Sequence, residues 1–171
     1  MFSGGPQGCV HMTDDQKSQI AKPLGRVPSG VYILTARHND HTAAIMASWV
    51  QQASFDPPSL SIALAKGRPI GEMIRASNRL AISILPSDDK TLMKYYARLK
   101  PDEDAFQGVS IRPAPSGIPI LLDSLGYLDC ELSGVHDFGG DHDLFIAKIT
   151  AGEMLREGTA FAHQRGSGFH Y

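Results

Sequence analysis

The stretch VYILTARHNDHTAAIMASWV, residues 31–50, carries two apolar runs separated by a polar patch. VYILTA (31–36) is β-branched and aromatic, RHNDH (37–41) supplies turn formers, and TAAIMASWV (42–50) returns. The pattern predicts an antiparallel hairpin. Immediately after it, QQASFDPP (51–58) turns polar and closes on two prolines. SLSIALA (59–65) then alternates strictly, with Leu60, Ile62 and Leu64 on one face, as a half-buried strand requires.

Working outward, RLAISIL (79–85) reads as a further strand. LGYLDCELSGV (125–135) and DLFIAKITAGEML (143–155) form a late pair around the loop HDFGGDHD (136–143). Pro69 suits the first turn of a short helix through about Ala76. A second helix is expected after Pro86-Ser87, capped by Ser87 or Asp88 and running through KTLMKYYARL. Its Leu92, Tyr95, Tyr96 and Leu99 recur at spacings of three and four, so one face is buried. RPAPSGIPI (112–120) reads as a Pro-rich connection.

Five or six short strands, two inserted helices and no strand–helix alternation predict an α+β, mainly β chain built on an antiparallel barrel. GxGxxG and GxxxxGK[ST] are both missing from the sequence, which disfavours a doubly wound nucleotide-binding sheet.

The chain has 171 residues, 42% hydrophobic and 20% charged, which suits one well-cored domain. A formal net charge of −2 gives no field for nucleic acid or an anionic membrane, and neither is expected as a partner. MFSGGPQGCVHM lacks the apolar core of a signal peptide and has the look of a vector remnant. Residues 1–11 are therefore set aside as a tag remnant, and 12–171 are read as a single domain. Cys9 falls in the excluded part, which leaves Cys130 as the only native cysteine and favours a reducing cytoplasm.

Three segments could carry chemistry. Around Met46, Ala47, Ser48, Trp49 and Val50, small residues and free backbone N–H groups at a strand end can approach a planar polar ligand. A hydroxyl at Ser48 or Ser54 could bond a phosphate or ring carbonyl. The alternative is a strand that merely ends, with Trp49 in the core. AKGRP (65–69) sets Lys66 and Arg68 beside a helix start, which favours an anion, or else forms a solvated basic turn. In FGGDHD (138–143), Asp141 can orient His142 and fix its tautomer. The neighbouring His136, Asp137 and Asp143 lack the spacing of a zinc site, and no metal is expected. Cys130 reads as a buried small apolar residue.

VPSGVYILTA, MASWVQQASFDPPSLSIALAK, GIPILLDSLGYLDCEL, GDHDLFIAKI and GSGFHY, in this order, resemble the flavin reductase-like family with the FMN-binding split-barrel fold. The likeness runs over about residues 24 to 171. ASWVQQASFDPP, LMKYY and GSGFHY are most similar to the C-terminal flavin reductase domain of cyanobacterial flavodiiron proteins. A start at Met12 would make the chain a stand-alone relative or an excised domain.

The resemblance implies a homodimeric antiparallel split β-barrel binding FMN, in preference to FAD, near the subunit interface. Met46 to Val50 with Ser54 match the segment that cradles the flavin ring and ribityl chain. Lys66 and Arg68 match the phosphate position, and Ser29 matches a segment that approaches the ring. Trp49 then packs beside the cofactor or shapes the dimer contact. His142 matches the histidine of the family's GDH motif and would line the nicotinamide slot as the catalytic residue. The implied activity is an NAD(P)H:flavin oxidoreductase, with NADH or NADPH as donor. An FMN-binding electron carrier serving a redox partner protein is the alternative, and a barrel with a degenerate pocket is a third.

Overall fold

The structure is a computed structural model and describes residues 12–100 and 103–169. Residues 1–11 with Cys9, and the terminal His170 and Tyr171, lie outside the described residues. The chain divides into two compact units, one spanning Ser29–His163 and the other joining the segment up to Pro28 with the segment from Gln164.

In the smaller unit, helix α1 (Asp14–Gly25) is set by a capping box. The Gln16 N–H donates to Thr13 Oγ1 and the Thr13 N–H donates to Gln16 Oε1. The C-terminal segment lies along this helix, with the Arg165 N–H donating to Gly25 O at 2.9 Å and the Gly168 N–H to Ala21 O at 2.7 Å. No helix was expected there, although TDDQ (13–16) carries the signature.

The larger unit contains β1 (Ser29–Gly30), β2 (Tyr32–His38), β3 (His41–Ala47), β4 (Val50–Phe55), β5 (Pro58–Ala65), α2 (Pro69–Ser77) and β6 (Arg79–Ile84). They are followed by α3 (Thr91–Arg98), β7 (Ile111–Pro113), β8 (Pro119–Leu121), β9 (Gly126–Asp137), β10 (His142–Met154) and β11 (Ala162–His163). One antiparallel sheet runs in the order β3-β2-β6-β9-β10-β5-β4. Its edge strands β3 and β4 are joined by only Ser48 and Trp49. Three Cα–Cα steps reach at most about 11 Å, so the two edges must meet at that end. The sheet therefore curls into a barrel, and no ladder among the described residues closes the seam between β3 and β4.

The β2–β3 hairpin follows the sequence closely. His38 pairs with His41, and Asn39 takes a positive φ of 53° in the two-residue turn. The continuous run of VYILTA has a physical reason: β2 is buried on both faces. Leu34 and Ala36 join the main core with Ile62, Ile82 and Phe145, while Val31 and Ile33 pack with Leu85, Leu92 and Tyr96. Thr35 is fully buried and donates its hydroxyl to Pro119 O at 2.8 Å.

Three expectations are corrected. The run 42–50 is not one strand, because β3 stops at Ala47 and a new strand begins at Val50. QQASF belongs to that new edge strand, whose Gln51, Gln52 and Ala53 are all exposed, which is why it reads as polar. The α3 cap is neither Ser87 nor Asp88. Asp89 accepts from the Thr91 N–H at 2.8 Å, while Asp88 is drawn away by Arg156 at 3.0 Å. The segment 112–120 is also more than a connection, since its ends pair as the β7–β8 hairpin.

Candidate functional site

The barrel seam makes the site. Ser48 and Trp49 leave the β3 ladder before β4 begins, and the Ala63 N–H donates to Trp49 O at 3.0 Å. That bond pins the link to β5. Ser48 is half-buried, and neither its N–H nor its hydroxyl has a hydrogen-bond partner among the described residues. A half-buried donor pair left open in this way suits a polar ligand edge. Of the flanking residues, Val50 is 3% exposed and belongs to the core, Ala47 is half-buried and Met46 is exposed.

His142 opens β10 directly opposite Ala65 of β5. Its ring is 4.7 Å from the Trp49 ring, centroid to centroid, with the planes tilted by 46°. Asp141 Oδ1 lies 2.8 Å from His142 Nδ1, so the carboxylate favours the proton on that nitrogen. The same hydrogen bond, followed by charge attraction, holds the Asp141 carboxyl below its ordinary range. The seam link, β5 and β10 thus bring Ser48, Trp49 and His142 to one end of the barrel.

The two expected cations are not equivalent. Lys66 Nζ is 2.7 Å from Asp137 Oδ1 and 3.8 Å from Asp143 Oδ1, and the Lys66 N–H donates to Asp141 O. The Asp137 hydrogen bond raises the Lys66 pKa and lowers that of Asp137. Asp143 is itself held by Arg75 at 2.7 Å, and the Arg75 guanidinium stacks over the Phe145 ring. Arg68, exposed and at the start of α2, makes no side-chain bond with any described residue. These acid–cation pairs were not visible in the sequence. The acids of HDFGGDHD and the cations of AKGRP each read as isolated clusters until β5 and β10 pair.

The remaining candidates spread out. Ser29 lies in β1, opposite His163 and three residues before Tyr32, which faces Ala47. It therefore leads into the same end of the barrel. Ser54 faces Ser59 near the far end of β4. Four residues of strand separate it from Val50 by about 13 Å, so this chain does not bring it to the Trp49–His142 pair.

Residues 24–168 match the family model of the flavin reductase like domain, and the chain belongs to that family. Diflavin flavoprotein A 1 of Synechocystis sp. is 37% identical over 157 residues, which is 90% of this chain. The chain spans about 27% of the length of that relative, corresponding to its C-terminal domain. Among solved structures, nitrilotriacetate monooxygenase component B (homolog) from Mycobacterium thermoresistibile is 28% identical with a TM-score of 0.78, covering 87% of this chain and 83% of its own. The NADH:FAD oxidoreductase of Streptomyces globisporus C-1027 has the same fold, at 22% identity and a TM-score of 0.77 over 95% of this chain and 96% of its own.

A flavin is the group this family takes, and the residues present fit one. The open Ser48 donors suit the polar edge of the ring, the Trp49 indole offers it a flat apolar neighbour, and Arg68 supplies a cation without a partner among the described residues. Among the described residues no helix is long and apolar enough to cross a membrane.

Proposed function

We propose that this chain is an NAD(P)H-dependent flavin reductase that holds FMN, in preference to FAD, at the barrel seam and works as a homodimer in the cytoplasm. The observation that carries the reading is the half-buried Ser48 with its donors unused, beside the Trp49–His142 pair. When bound, a flavin supplies an N5 atom that accepts hydride from a reduced nicotinamide, so the protein's task is position and electrostatics.

Each residue then has a limited role. Ser48 donates to the ring edge where negative charge grows on reduction. Ala47 and Met46 flank that contact, Val50 anchors it to the core, and Ser29 borders it. Arg68, with the first amides of α2, neutralises the phosphate. His142 is only 8% exposed, so it acts chiefly as a positioning residue that fixes Trp49 through their ring contact. Trp49 forms a wall of the slot and keeps water from one side of it. Ser54, on the distant hairpin, reaches a flavin only across a subunit interface in this reading.

A second reading has its own support. The curated relative is nearly four times longer than the matched segment, so a flavin here can also pass electrons to a partner protein or domain. Anaerobic addition of NADH and then NADPH to the FMN-loaded protein separates the two. Bleaching of the flavin by either nucleotide supports the reductase. A flavin that stays oxidised until a protein donor is added supports the carrier and rejects the reductase.

A further inference from the structure

Lys66 and Arg68 flank Gly67, whose φ of +76° makes the sharp turn into α2, so both cations belong to one turn. Only Arg68 is free of described partners; Lys66 is already paired with Asp137 at 2.7 Å. Asp137 is fixed for this contact, because the same Oδ1 accepts from the Gly139 N–H at 2.7 Å. Both side chains of the pair are open to solvent, at 38% and 62%. Such a pair is weak and exchangeable. Asp143, the second carboxylate near Lys66, is committed to Arg75. One exchangeable anion therefore sits on a cation of the turn to which the proposed phosphate site is assigned.

We infer that Asp137 is a built-in competitor for the flavin phosphate: on cofactor binding, Lys66 exchanges the Asp137 carboxylate for the phosphate. This rests on the flavin site proposed above and adds what limits its preference for phosphorylated flavin. A phosphate monoester carries between one and two negative charges at neutral pH against one for the carboxylate, so it wins the exchange, but at reduced affinity. Asp137 thereby keeps the flavin exchangeable. It also links cofactor occupancy to the β9–β10 loop, which leads directly into His142 at the start of β10.

The test measures dissociation constants of FMN and of riboflavin, which lacks the phosphate, for the wild type, Asp137→Asn, Lys66→Met and the double variant. Asparagine retains an oxygen to accept from Gly139, so the loop turn is preserved while the charge is removed. Exchange predicts that Asp137→Asn tightens FMN about two- to fivefold, leaves riboflavin unchanged, and loses its effect in the Lys66→Met background. A gain that persists without Lys66 would be plain charge repulsion and would overturn the exchange. So would an unchanged or weakened FMN affinity in Asp137→Asn, or a wild type that binds riboflavin as tightly as FMN. The last result leaves the flavin site standing. A wild type that binds neither flavin overturns the proposed function itself, and this inference with it.

Discussion

The indole of Trp49 and the imidazole of His142 meet at 4.7 Å between ring centroids, although one sits in the seam link and the other at the start of β10. The contact exists because β5 lies between these elements, bonded to Trp49 through Ala63 and paired with His142 through Ala65. Burial of His142 to 8% exposure and its bond to Asp141 leave the ring little freedom. The pair is thus held at the barrel end by the seam link, β5 and β10 together.

If His142 acts by fixing Trp49, then His142→Asn should lower kcat for NAD(P)H-linked flavin reduction by about ten- to hundredfold, as small misplacements of a reacting slot do. FMN affinity should change far less, and the tryptophan emission should shift. Steady-state kinetics beside a flavin titration read both. A loss of affinity with kcat intact would instead make His142 a simple binding contact.

Arg68→Ala should weaken FMN about tenfold and leave riboflavin unaffected, since a charge-assisted bond to the phosphate is what it removes. Equilibrium dialysis with the two flavins is sufficient. Equal losses for both would move Arg68 from the phosphate to the ring or to general folding.

The fold was legible wherever one face of a strand is buried and the other is not. SLSIALA gave its face directly, and Leu60, Ile62 and Leu64 are all in the core. The edge strand β4 was not legible, because a strand with Gln51, Gln52 and Ala53 in solvent has no apolar period. Helix α1 carries its signal in the Thr13–Gln16 capping box but has no apolar stripe, Gly25 being its one buried residue. The candidate site was partly legible: Ser48, Trp49 and the Asp141–His142 pair were singled out from the sequence. Lys66–Asp137 was not, because it takes the β5–β10 and β9–β10 registers together to make those residues neighbours.

The Lys66–Asp137 pair also sets a pH window. The Lys66 hydrogen bond, followed by the Gly139 amide, lowers the Asp137 pKa from its ordinary 3.8. Its contribution to stability is therefore present above that value and lost as pH falls through the lowered one. Lys66 is shifted up from 10.5, chiefly by the same hydrogen bond, so its contribution is complete below 10.5 and lost as pH rises through the raised value. The melting-temperature difference between wild type and Asp137→Asn should be flat from about pH 5 to about pH 9 and shrink on both sides. A difference that changes across neutral pH would contradict the pairing.

Cys130 is fully buried in β9, and desolvation, with a smaller push from Asp129, raises its thiol to about 12. It should resist alkylation in the native protein at pH 8 and react only on unfolding. Peptide mapping after a short iodoacetamide pulse distinguishes it from Cys9. Rapid native labelling of Cys130 would show that β9 opens far more easily than a central strand should.

The central claim, that flavin sits against the Ser48–Trp49 seam, is tested most directly by the fluorescence of Trp49, the only tryptophan in the chain. Titration with FMN should quench its emission in proportion to bound flavin, saturating when binding does. Flavin that binds while the Trp49 emission stays unchanged would contradict the account and send the search for the site elsewhere on the barrel.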